Sequence, residues 1–230
     1  MRILRRLLIV AVILAAILTG ADRLAVRIAE GRAEDQLRAS AGFDDSTSVS
    51  ITGFPFLTQL VANDLHELQA HVDHWETALP GGGTGRVENL ELRLHGVQFS
   101  NSYSTAVARE ATGSALVPYA ELLHAAPSSD QVTVTSLSDG GKNRVKIAFR
   151  TADGGQHTLY SSVSVEGDTL RLHAQGLPHT DGATADQIRS ATNIQQTLTR
   201  LPGGIGLKSA EPLPSGLQLT VGGAHVSLTG

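Results

Sequence analysis

The sequence predicts an α+β fold in which a curved antiparallel sheet wraps amphipathic helices, and three observations lead there. Apolar and polar residues alternate in segments separated by glycine-rich turns, as in Leu90, Leu92, Leu94 and again in Val145, Ile147, Phe149. Apolar residues recur at helical spacing in two others, Val26, Ala29, Ala33, Leu37 and Ile188, Ala191, Ile194, Leu198, Leu201. The composition is 41% hydrophobic but only 4% aromatic, with 24 glycines, so the interior is aliphatic and the turns are many. A chain of 230 residues suits one domain with a sizeable core.

Residues 1–21 read as a signal peptide or signal anchor. Arg2, Arg5 and Arg6 precede an unbroken apolar run, Leu7 to Leu18, and then Thr19-Gly20-Ala21. The run is shorter than the roughly 20 residues of a membrane span. It fits the core of a secretory signal, with Thr19 and Ala21 as small residues before a cut. Retention as an anchor through residues 7–19 is the alternative. The positive-inside rule places residues 22–230, read as a single domain, outside the cytoplasm in both cases. The expected location is exported, on the periplasmic side of the cytoplasmic membrane. Without residues 1–21 the chain keeps 15 basic and 22 acidic residues, a net charge of −7. That argues against nucleic acid as a partner and against simple attraction to anionic headgroups. Membrane contact is then through the anchor or through transient apolar contact.

Residues 22–40 predict an amphipathic helix, with Glu34 and Arg38 as a favourable i,i+4 pair. Residues 49–75 follow, the most distinctive stretch of the chain. It reads as a short strand with Val49 and Ile51 inward, a Gly53-Phe54-Pro55 corner, a turn or two of apolar helix, and a second strand closed by Trp75. Gly53 is free to adopt backbone angles closed to other residues, and Pro55 restricts Phe54. The corner is expected to bring Phe54, Phe56, Leu57 and Leu60 together. Such residues build either a core corner or the wall of an apolar groove.

Residues 79–85 read as a hairpin turn and Leu90 to Phe99 as a strand continuing past Gly96. Residues 101–114, polar and small, are expected to be irregular. Pro118 suits the first turn of a helix whose apolar face is Tyr119, Leu122, Leu123 and Ala126. A meander follows, with strands around Val132, Val145–Phe149, Leu159–Val165 and Leu170–Ala174. Residues 184–201 predict the best helix, with Thr184 and Gln187 at capping-box spacing. Strands around Leu217–Val221 and Val226–Leu228 close the chain.

The motifs of common chemistry are missing. No cysteine excludes a disulfide framework, a thiolate metal site and a cysteine nucleophile. Nine histidines invite a metal hypothesis, but the densest set, His66, His71 and His74, would place His71 and His74 on opposite faces of a strand. There is no His-Glu-x-x-His, Gly-x-Ser-x-Gly or Walker pattern. The acidic residues are scattered, and Asp44, Asp45 and Asp139 sit in turns, where aspartate usually serves the backbone. No metal, cofactor or catalytic set is expected.

Apolar surface remains. The signal followed by Ala21-Asp22-Arg23-Leu24-Ala25-Val26-Arg27-Ile28-Ala29-Glu30, the corner Gly53-Phe54-Pro55-Phe56-Leu57-Thr58-Gln59-Leu60, the Val87–Val97 strand and the segment Ala111-Thr112-Gly113-Ser114-Ala115-Leu116-Val117-Pro118-Tyr119 together resemble the LmeA-like phospholipid-binding family of actinobacterial envelopes. That family often has a serine where this chain has Pro118. The resemblance implies a TULIP-like fold, in which a curved sheet wraps a long helix, here 184–201 or 22–40, beside an apolar channel. It also implies a non-enzymatic, phospholipid-binding envelope protein that supports lipid or lipoglycan assembly. The residue types name Phe54, Phe56, Leu57, Leu60 and Trp75 as lipid-contact candidates. A structural or interaction module that assists an envelope-biosynthesis enzyme, with every apolar residue in the core, is the rival.

Overall fold

The structure is a computed structural model that describes residues 2–41, 46–78, 84–100, 105–124, 126, 131–176, 182–197 and 203–228. It is α+β, with two curled antiparallel sheets and an N-terminal helix, an arrangement consistent with a TULIP-like lipid-binding fold.

Helix α1 (Arg2–Ala41) runs without a break from the basic start through the apolar run into the amphipathic segment. At about 1.5 Å per residue its 40 residues span roughly 60 Å. Residues 8–21 are exposed throughout, and from Asp22 onward one face turns to the body. Val26 is buried there, with Ala29, Ala33 and Leu37 half-buried on the same side, which is the stripe read from the sequence.

Sheet A contains β1 (Ser48–Thr52), β2 (Asp64–Ala78), β3 (Thr84–Ser100), β4 (Thr105–Pro118), β10 (Ile205–Leu213) and β11 (Gly216–Ser227) in the order β1-β2-β3-β4-β11-β10. Helix α1 follows the free edge of β1. The Val49 amide donates to Glu34 Oε1 at 2.9 Å and the Ile51 amide to Glu30 Oε1 at 2.8 Å. Edge amides left open are a template for unwanted strand pairing, and these two carboxylates close them. Helix α2 (Phe56–Ala62) bridges β1 and β2. One core cluster lies between these helices and the sheet, with Val26, Phe56, Leu65, Leu94, Val97 and Ala111 at its centre.

Sheet B is the meander β5 (Val132–Asp139), β6 (Arg144–Thr151), β7 (Gln156–Glu166), β8 (Thr169–Gln175) and β9 (Gln195–Thr197). Its apolar side, centred on Val145, Ile147, Phe149 and Leu159, forms the second core cluster. That cluster takes in Tyr119 of α3 (Tyr119–His124), Ile188 and Ala191 of α4 (Gly182–Thr192), and Leu207 and Leu217 of sheet A. Each of the two helices expected beside a sheet is therefore held on one, α1 at sheet A and α4 at sheet B.

Several expectations need correction. Residues 105–114 are not irregular but form most of β4, a central strand of sheet A. Its inward residues are Ala106, Ala108, Ala111 and Gly113, too small to give an apolar alternation. Pro118 ends that strand, and the helix begins one residue later, at Tyr119. Helix 184–201 stops at Thr192. Asn193 Oδ1 accepts the Ala174 amide at 2.9 Å and Ile194 O accepts the Leu172 amide at 2.8 Å, so the chain leaves the helix to pair with sheet B. Thr184 lies inside α4, not at its start. Strand β10 has no counterpart among the expected elements. The turn at 79–83, Asp44, Asp45, Leu198 and Leu201 lie outside the described residues.

Candidate functional site

Register across sheet A sorts its two faces row by row. Val49 pairs with Ala70, Ala70 with Leu92, Leu92 with Gly113, Gly113 with Val221 and Val221 with Leu207. The row two residues along reads Ile51, Leu68, Leu94, Ala111, Gly223 and Ile205. Both rows cross all six strands without a polar side chain. The intervening row, Ser50, Gln69, Arg93, Thr112, Gly222 and Gly206, points to the other face and carries no apolar side chain.

The apolar face is not uniformly covered. Leu94 and Ala111 are buried in the cluster beneath α1 and α2, and Leu207 in the cluster with sheet B. Between them Ala70, Leu90, Leu92, Ala115, Leu219 and Val221 are only half-buried. Small residues lie at the middle of this half-buried stretch. A Cβ added at Gly113 would stand 3.1 Å from Val221 Cγ2 and 3.2 Å from Glu91 O, so glycine lets β4 pass close under its neighbours.

The polar face has its own order. Glu67 accepts from Gln69 Nε2 at 2.7 Å and from Thr52 Oγ1 at 3.1 Å. These bonds, that from Gln69 first, hold its carboxyl below the usual range. A shallow depression of about 160 Å³ over this face is lined by Ser48, Gln69, His71, Glu91 and Arg93 among others. Among the described residues no group of three or more histidine, aspartate or glutamate side chains is placed to hold a metal ion.

The Gly53–Leu60 corner is where the five sequence candidates part company. Gly53 has φ +112°, and a Cβ there would reach Gln59 Nε2 at 2.5 Å, so the turn requires glycine. Gln59, buried, accepts the His66 amide at 2.9 Å and donates to Pro55 O at 3.4 Å, tying α2 to β2. Helix α2 then has two faces. Phe56, 3% exposed, and Leu60 pack into the core cluster, whereas Phe54 is 54% exposed, Leu57 38% and Val61 83%. Trp75 is half-buried on β2, opposite Val87, and stands about 35 Å along the strand from the corner at roughly 3.3 Å per residue. The structure thus joins Phe56 and Leu60 in one core, leaves Phe54 and Leu57 outside it, and separates Trp75 from all four.

Two contacts dock the corner on α1. Asp22 Oδ1 accepts the Leu57 amide at 2.8 Å, and the Arg23 guanidinium lies 5.2 Å from the centre of the Phe54 ring. Sequence reading missed the apolar rows because register, not alternation alone, aligns them. It missed Asp22 because its partner lies 35 residues away.

Comparison with known proteins turns this geometry into an affiliation. A family model described as LmeA-like phospholipid-binding matches residues 20–222, nearly the whole chain beyond the apolar run. The chain belongs to the LmeA-like phospholipid-binding family. The match spans α2, all of sheet B and most of sheet A, so the whole apolar row from Val49 to Leu207 of this LmeA-like protein lies within the family region. It begins at Gly20, just before the residue that grips α2. No curated protein and no solved structure matches the chain.

Proposed function

We propose that the chain is a non-enzymatic phospholipid-binding protein of the cell envelope that uses the half-buried apolar stretch of sheet A as a trough for acyl chains. Membership of the LmeA-like family supports the ligand class. The carrying observation is the apolar row from Val49 to Leu207, which crosses six strands and leaves Ala70, Leu92 and Val221 only half-buried. An acyl chain gains about 0.8 kcal/mol for each methylene removed from water. A long open trough without polar atoms collects that gain without leaving a donor or acceptor unmet. Of the five sequence candidates, Phe56 and Leu60 support the wall from beneath, and Phe54 and Leu57 stand free to meet lipid. The exposed apolar helix 8–21 fits a signal or an anchor, which supports a location at the outer side of a membrane and a part in envelope lipid or lipoglycan assembly.

Native mass spectrometry of the full-length chain released from detergent, with organic extraction, tests this reading. A phospholipid at one per chain is the expected result. A bare mass, unchanged after incubation with phospholipid vesicles, would sink it in favour of an interaction module.

A further inference from the structure

The exposed apolar residues of α2 are placed by α1 rather than by the core. The apolar run of α1 ends at Leu18, and Asp22 holds the Leu57 amide one turn later, roughly 6 Å further along the helix axis. Whatever surface the apolar run enters, the corner is fixed at its border. The corner is built for such a place. Residues 53–62 carry no charged side chain. Phe54, Leu57 and Val61 recur at three- and four-residue steps and are all exposed. Arg23 lies over the Phe54 ring, pairing a cation with an aromatic where the apolar run gives way to charge. An aromatic ring beside a basic residue is the composition of a membrane–water boundary.

We propose that this corner is a membrane foot: Phe54, Leu57 and Val61 enter the interfacial layer of the bilayer from which α1 emerges. The occupant is lipid, because the patch continues an apolar helix whose exposed Leu8, Ile13, Ile17 and Leu18 have the same requirement. The foot sets the height and tilt of the body over the membrane. It is independent of whether the trough carries a lipid.

The chain has no cysteine, which makes the test direct. V61C, F54C and, as control on exposed sheet B, S164C are each labelled with an environment-sensitive fluorophore in the full-length protein. Each is reconstituted into phosphatidylcholine–phosphatidylglycerol vesicles with and without spin-labelled lipid. The expected result is blue-shifted emission from V61C and F54C, quenched by the spin label, and water-like unquenched emission from S164C. Water-like, unquenched emission from both corner sites overturns the proposal. A blue shift without quenching also overturns it, and assigns the patch to a second copy of the chain. Circular dichroism of each labelled variant confirms the fold, and Val61, 83% exposed, has no packing to lose.

Discussion

Asp22 on α1 accepts the Leu57 amide of α2 across 35 residues, at 2.8 Å. The residue at the N-cap of α2 is Pro55, which offers no side-chain acceptor, so the cap is supplied by another helix. Asp22→Ala is expected to cost about 1 kcal/mol, the usual value of a lost cap. Asp22→Asn keeps an acceptor oxygen and is expected to cost less. Urea midpoints of the full-length variants in detergent rank the three proteins.

Glu30 and Glu34 close the outer edge of β1 through the amides of Ile51 and Val49. Hydrogen bonds to charged groups contribute about 1.5–3 kcal/mol when shielded. In the E30A/E34A double variant, exchange at those two amides is expected to accelerate about tenfold for each 1.4 kcal/mol lost. Ser50, with its backbone in the ladder to Gln69, is expected to change least. Hydrogen exchange resolved by residue gives the answer, and a uniform acceleration would mean that β1 itself detaches.

Phe56 and Leu92 separate core from trough. Phe56 is 3% exposed, and Phe56→Ala is expected to destabilise by about 3–5 kcal/mol, as large-to-small core changes do. Leu92 is only half-buried, at the centre of an apolar row and against the margin of that core. Leu92→Asp is expected to lower lipid occupancy markedly while the circular dichroism spectrum stays native. Occupancy by native mass spectrometry and melting by circular dichroism, taken together, distinguish the two losses.

Tyr119 carries a pH signature. Burial, with the Asp139 carboxylate adding, pushes its phenol up to about 12 from the usual 10.0. The unfolded chain therefore releases this proton first. The contribution of Tyr119 to stability is complete below pH 10 and is lost as the pH rises through about 12. Its hydroxyl is buried with no partner among the described residues, so Tyr119→Phe is expected to be neutral or stabilising by up to about 1 kcal/mol at pH 7. Urea midpoints at stepped alkaline pH should fall more steeply for the wild type than for the phenylalanine variant between those limits.

Where side chains alternate in size and polarity, the sequence was legible. Val145, Ile147 and Phe149 are buried on β6 as their spacing predicts, and Val26, Ala29, Ala33 and Leu37 form the packing side of α1. Asp139 serves the backbone as expected, accepting the Gly141 amide at 2.8 Å. Strand β4 was hidden because alanine and glycine carry almost no alternation. Strand β10 was hidden by a register shift between Leu207 and Ser209, which breaks the two-residue period. The end of α4 depends on Asn193 and Ile194 finding partners on β8, a tertiary preference that local helical spacing does not express. At the candidate site, residue types found the apolar corner but gave no means of dividing Phe56 from Phe54. That division depends on which side of α2 meets the sheet.

Sheet B pairs each strand from β5 to β8 with the next one in the chain. Sheet A does not: β11, starting at Gly216, lies against β4, which ends at Pro118. A ladder between such distant segments forms late, since a large loop must close before any bond rewards it. Val221 and Leu207, at one end of the long apolar row, therefore arrive only when the last strands do. During synthesis β1–β4 and the sheet B meander can each assemble from neighbouring strands, while the β4 edge waits for β11. Removing the final hairpin would thus do more than shorten the molecule. It would leave an unpaired β4 edge beside an uncovered apolar face, and aggregation rather than a smaller folded product is the consequence.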